Sequence, residues 1–138
     1  MKRHINLYYD TIDTENIDIE NISIKNIDSI INHSVDILYC NYLEYIEKDK
    51  LETIFGQLLK KIRPYGSLSI KFVHAKTLCQ NYISNTIPAE DLLNALNGKK
   101  NLLSFDLIYS FIDPNLFKIL KYDTDGHAMT IIVQRVNI

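Results

Sequence analysis

The chain is poor in the residues that build specialised scaffolds and surfaces. Its two cysteines, Cys40 and Cys79, stand far apart and match no metal-ligand spacing. That argues against a disulfide framework and a zinc site, and leaves free thiols in a reducing cytoplasm as the expectation. No basic run is sustained; the densest cluster, Lys60, Lys61 and Arg63, falls where a helix is expected to end, a place where solvated cations suit the helix dipole. With a formal net charge of −2 from interspersed acids and bases, the electrostatic footprint of a nucleic-acid binder is missing. The opening MKRHINLYYD leads into no apolar signal-peptide core, and no segment is long and apolar enough to span a bilayer. Secretion and membrane insertion are disfavoured, and a cytoplasmic location is expected. The acids between Asp10 and Glu20 match no calcium-loop spacing and read as a solvated edge, so no metal is expected.

What is present fits one globular domain over residues 1–138, since 46% hydrophobic and 23% charged residues can bury a real core at this length. Ile5, Leu7 and Tyr9 alternate as in a strand. A weak pentad echo follows, NIDIE at 16–20, NISIK at 21–25 and NID at 26–28. Its isoleucines, Ile17, Ile19, Ile22 and Ile24, read as two short edge-side strands or one strand with a bulge. Val35 to Cys40 is an apolar run broken only by Asp36, the pattern of a central parallel strand. Leu51, Ile54, Phe55, Leu58, Leu59 and Ile62 then form one helical stripe, which Pro64 is expected to end. Gly66 supplies turn freedom before a strand at Ser67 to Val73.

Three further helices are predicted. Ala75 to Ser84 places Leu78, Cys79, Tyr82 and Ile83 on one face. Ala89 to Asn97 has Pro88 at its start and Gly98 as its stop, and Phe105 to Ile112 has Ser104 as its cap. The tail reads as a hairpin, with strands at Phe117 to Tyr122 and His127 to Val136 and a turn at Asp123 to Gly126. Strands alternating with helices give an α/β domain of three layers.

Ser34-Val35-Asp36-Ile37-Leu38-Tyr39-Cys40-Asn41-Tyr42-Leu43-Glu44-Tyr45 resembles the fourth-strand motif of class I S-adenosylmethionine-dependent methyltransferases. Ile62-Arg63-Pro64-Tyr65-Gly66 is similar to that family's Leu-Lys-Pro-Gly-Gly turn, with Tyr65 where the first glycine usually stands. The resemblance covers roughly Ser34 to Val136. It implies a three-layer Rossmann-like methyltransferase sheet, mostly parallel with a C-terminal antiparallel hairpin, truncated near the N-terminus. It also implies S-adenosylmethionine as cofactor and an unidentified small-molecule or protein methyl acceptor.

The early region departs from the family pattern. Ile5 to Asp10 and Asn16 to Ile19 would be the first two strands, with Asp18 matching the acid that holds the cofactor ribose in the family. The residues between them, Thr11-Ile12-Asp13-Thr14-Glu15, contain no glycine, although cofactor atoms must approach that backbone closely. Asn41 and Tyr42, just past a central strand, are the other candidate cofactor contacts, and His74, at the end of the next strand, is the candidate base for an acceptor. Glu44 and Tyr45 read either as substrate-positioning residues or as a helix cap and core packing. The noncatalytic alternative is a pseudo-methyltransferase that binds a protein partner. Pairing of a shortened sheet edge into a homodimer is compatible with either reading.

Overall fold

A computed structural model describes residues 3–8 and 18–136. Six strands form one sheet: β1 (His4–Tyr8), β2 (Glu20–Ser23), β3 (Val35–Cys40), β4 (Ile62–Val73), β5 (Phe117–Asp125) and β6 (Ala128–Arg135). Their order is β2-β1-β3-β4-β6-β5. The β1–β2, β1–β3 and β3–β4 pairs are parallel, whereas β6 runs antiparallel to both β4 and β5. The helices are α1 (Lys48–Lys61), α2 (Ala75–Ile83), α3 (Ala89–Leu96) and α4 (Phe105–Ser110), with 3-10 turns at Ile24–Ser29 and Leu43–Tyr45. This is the expected Rossmann-like α/β sheet, mostly parallel with antiparallel strands at its C-terminal side.

The central strands are covered as their composition requires. Val35, Leu38 and Cys40 of β3, and Leu68, Ile70 and Phe72 of β4, are buried. They form one cluster with Leu51, Phe55, Leu58 and Leu59 of α1, the stripe predicted from spacing. The Phe55 ring lies 5.5 Å from that of Phe111, which ties the end of α4 to α1. Ser104 caps α4 by accepting from the Leu107 N–H at 3.1 Å.

Several local expectations need correction. The second strand starts at Glu20 and is single; Ile24 turns inward from the following 3-10 turn, and Ile17 lies outside the described residues. α1 ends at Lys61 and passes directly into β4, so Pro64 lies inside a strand, at a bulge where β3 and β4 lose register between Val35 and Ile37. Within that bulge Tyr65, not Gly66, takes the positive φ of 66°. Gly66 is required for space instead, because a Cβ there would lie 2.8 Å from the Val35 carbonyl oxygen and 2.9 Å from that of Asp36.

Nor is the basic cluster uniformly solvated. Lys61 is buried and donates to Asn32 Oδ1 at 2.9 Å, while Arg63 pairs with Asp36 at 2.9 Å. On α2 only Leu78 is buried; Cys79, Tyr82 and Ile83 are exposed. The C-terminal turn is shorter than predicted, since β5 continues to Asp125 and only Gly126 and His127 lie between the paired Asp125 and Ala128. Gly126 at φ 62° suits the first position of a tight two-residue hairpin turn. No helix among the described residues is long and apolar enough to cross a membrane.

Candidate functional site at the carboxyl edge

From β1 the sheet grows to one side with β2 and to the other with β3. A doubly wound sheet opens its ligand crevice at such a reversal, outside the carboxyl ends of the strands. Here that edge is formed by Tyr8 ending β1, Ser23 ending β2, Cys40 ending β3 and Val73 ending β4. Asn41 and Tyr42 leave β3 at this edge and are half-buried. The Tyr42 ring is tilted against Tyr45 at a centroid distance of 5.8 Å. His74 leaves the neighbouring strand at the same edge. Its backbone N–H donates to the His127 carbonyl at 2.7 Å, and its Nδ1 shares a 2.7 Å hydrogen bond with the Thr77 hydroxyl, which orients the ring.

Three of the four residues singled out from sequence therefore share one edge. Asp18 does not join them. The register pairs Ile5 with Glu20 and Tyr8 with Ser23, so Asp18 precedes the amino end of β2, and Ser23 stands where the resemblance places an acid. The physical reason is that the strand begins at the last residue of the NIDIE pentad, where the Glu20 carboxylate accepts from Arg3 Nε at 2.9 Å. This bond raises the Arg3 pKa and lowers that of Glu20. Asp10, Asp13 and Glu15, together with the segment that should carry glycines, lie outside the described residues.

The feature that sequence reading missed is a buried ion pair just behind this edge. Glu44 sits in the 3-10 turn after β3 with its side chain turned towards β4. Its Oε2 accepts from the Val73 N–H at 3.2 Å and lies 3.2 Å from Lys99 Nζ, both side chains being almost fully buried. Burial pushes the Glu44 carboxyl above the usual carboxylate range, opposed by the Lys99 charge and the Val73 N–H. The Glu44 carbonyl accepts from the N–H groups of Lys100 and Asn101 at 2.8 and 3.0 Å. Lys99 Nζ also lies 5.0 Å from the centre of the Tyr45 ring, and the Asn101 amide donates to the Ile46 carbonyl. Positions 43–46 are thus fastened to both the α3–α4 connection and the end of β4. Glu44 does not cap α1, whose N-cap is Glu47. Nothing in residue spacing links Glu44 to Lys99. A faint cue is Gly98, whose φ of 75° turns the chain just before Lys99.

Beside this fastening a cleft of about 500 Å³ opens, lined by Lys48, Leu51, Glu52, Lys100, Asn101 and Phe111 among others. Among the described residues no group of histidines, cysteines and acids is placed to hold a metal ion.

Comparison with known proteins agrees with this fold. The chain is 13% identical to an S-adenosylmethionine-dependent methyltransferase of Mesorhizobium loti, with a TM-score of 0.57 over 91% of this chain and 72% of that one. An O-methyltransferase family protein of Burkholderia thailandensis is 17% identical, with a TM-score of 0.58 over 86% of this chain and 36% of that one. The fold is the methyltransferase fold. In sequence, a protein of Aquifex aeolicus (strain VF5) described only as uncharacterized is 27% identical over 112 residues, covering 81% of this chain. The chain spans about half, 52%, of that curated relative's length. No family model matches the chain.

Proposed function

We propose that this chain is a methyltransferase-like domain that binds S-adenosylmethionine in the crevice at the carboxyl ends of β1 and β3. The observation that carries the reading is the reversal of strand order at β1, which puts Asn41 and Tyr42 at the position where open α/β sheets hold their ligands. A half-buried amide beside an aromatic ring fits an adenine, which needs one stacking surface and a few polar contacts. The ribose side is less well served, because Ser23, and not a carboxylate, ends β2. The Ser23 hydroxyl already accepts from the Lys25 N–H at 3.3 Å.

When bound, the cofactor supplies a sulfonium methyl group for in-line attack. His74 then has the role of taking the proton released by an O–H or N–H acceptor, its ring held by Thr77. Glu44 and Lys99 are positioning residues: buried and paired to each other, they hold the segment after Tyr42 against the end of β4. Cys40, which is buried, and Cys79, which is exposed, form no disulfide and fit work in the reducing cytoplasm.

A noncatalytic protein-binding role is the second reading. It is favoured by the glycine-free sequence at 9–17 and by the position of Asp18 before β2. Calorimetric titration with S-adenosylmethionine and with S-adenosylhomocysteine separates the two. Micromolar binding that Tyr42→Ala weakens about tenfold, as loss of a base-stacking ring does, is the expected result. Asp18→Ala is expected to leave that binding unchanged. If neither ligand binds at millimolar concentration, cofactor use by this chain is excluded and the binding role stands.

A further inference from the structure

The sheet ends opposite β2 at β5, a nine-residue strand with seven exposed residues. Among the described residues no strand pairs with its outer edge. The hairpin turn determines which backbone groups that edge offers. With only Gly126 and His127 in the turn, Asp125 and Ala128 close it as a hydrogen-bonded pair, so alternation turns the N–H and C=O of Thr124 and Tyr122 outward. An apolar margin runs beside these groups: the Phe105 ring lies 4.7 Å from Tyr122 and 5.9 Å from Tyr109, and Tyr109, Leu120 and Tyr122 are each more than half exposed.

The charges along β5 change sign at Tyr122. Lys118 and Lys121 precede it, and Asp123 and Asp125 follow it. Lysines on an edge strand, together with a bulge such as the one near Leu120, ordinarily discourage pairing with a passing strand. They do not discourage a copy of the same strand running the other way, because a two-fold axis at Tyr122 brings each Lys121 opposite Asp123 of the second copy. This register satisfies the backbone at its centre, where Tyr122 pairs with Tyr122 as a hydrogen-bonded pair, and it brings Thr124 opposite the bulge at position 120. Lys121 and Asp123 then form the closer, non-hydrogen-bonded pairs. Within one chain Lys121 Nζ already lies 3.2 Å from Asp123, so both side chains share a face, and two such pairs would merge into a four-charge cluster.

We infer that β5 is a self-complementary interface through which two copies of this chain form a continuous sheet, antiparallel about Tyr122. The contact is isologous, as expected for a closed dimer. It lies at the edge opposite the shortened one and rests on no part of the cofactor reading.

Sedimentation equilibrium of the full chain at low salt tests it. The wild type is expected to be a monomer–dimer mixture that shifts towards monomer as salt is added. Lys121→Asp should weaken association about tenfold by placing like charges opposite each other, and the double variant Lys121→Asp with Asp123→Lys should restore it. Thr124→Pro deletes an outward N–H and no internal ladder bond, so it should give monomer with an unchanged circular dichroism spectrum. In a Cys79→Ser background, Tyr122→Cys should form a disulfide-linked dimer on mild oxidation, because hydrogen-bonded antiparallel partners lie about 5.5 Å apart at Cα. A wild type that stays monomeric at its highest soluble concentration overturns the inference. So does a dimer indifferent to both Lys121→Asp and Thr124→Pro.

Discussion

Two parallel pairs of strands lie side by side in this sheet, and the chain connects them in different ways. Between β3 and β4 it runs through positions 41–61, which include the whole of α1, and it re-enters the sheet with no intervening loop. Between β1 and β2 it has only positions 9–19, about half that length and at the lower limit of what a parallel crossover needs. The pairs differ equally in what holds them. β3 and β4 share a fully apolar interior and are braced at the carboxyl edge by Glu44 and Lys99. β2 has no buried residue, and its links to the rest include an exposed Arg3–Glu20 pair and an Asn6–Asn21 side-chain hydrogen bond of 3.2 Å. The half that resembles the family most is therefore the mechanical core. What is lightly built is the edge strand β2, since β1 beside it buries Ile5 and Leu7 in the common core, and the proposed contacts Asn41 and Tyr42 follow β3 in the braced half.

The largest expected effect tests the well-built half. Lys99→Met leaves the Glu44 carboxylate buried without its cation and should lower unfolding free energy at neutral pH by about 3–5 kcal/mol. Urea titration measures the loss. Its pH dependence has a definite sign. Because the folded Glu44 pKa is raised, the native state binds more protons than the unfolded state from the ordinary carboxylate range up to the folded value. Stability therefore falls as pH rises through that window. Lys99→Met should steepen this fall and cost least in acid, where Glu44 is protonated in both states; a pH-independent cost would mean that the pair is not ionised.

Gly66→Ala addresses the junction of the same two strands and should destabilise by about 1–3 kcal/mol, since two backbone carbonyls cannot give way to its Cβ as a flexible side chain would. A neutral result in thermal unfolding would show that the bulge is slack. The smallest effect belongs to the other half: Glu20→Ala should cost less than about 1 kcal/mol, and the cost should shrink with added salt. The lowered Glu20 pKa gives a contribution present above the ordinary carboxylate value and lost as pH falls through the folded value. A loss as large as that of Lys99→Met would erase the contrast between the halves.

The same contrast explains what was legible in the sequence. α1 and β3 could be read because their signals are periodic and local: the stripe from Leu51 to Ile62 is buried as spacing predicts, with Ile54 alone only partly covered. Asn41, Tyr42 and His74 do follow the ends of β3 and β4, because strand ends follow from such runs. The second strand, with Asp18 in it, was read too early because the pentad isoleucines, Ile17, Ile19, Ile22 and Ile24, recur at spacings of two and three in turn, so no single alternation fixes where a strand begins. Glu44–Lys99 and Lys61–Asn32 were not legible, because a buried polar pair between distant positions leaves no period. Tyr65 at positive φ was not legible either, since glycine is the usual marker of that conformation.

The ladder between β4 and β6 joins Ser67–Val73 to Ala128–Gln134 in seven consecutive pairs. Everything from 74 to 127 is strung between its two sides, and the turn between α2 and α3 exposes Asn85 at φ 60° while α3 itself buries no residue. Covalent continuity at that turn is accordingly dispensable to the sheet. A nick after Asn85 is expected to leave two polypeptides that stay together through this ladder, so the molecule has a natural place to be split and reassembled from its parts.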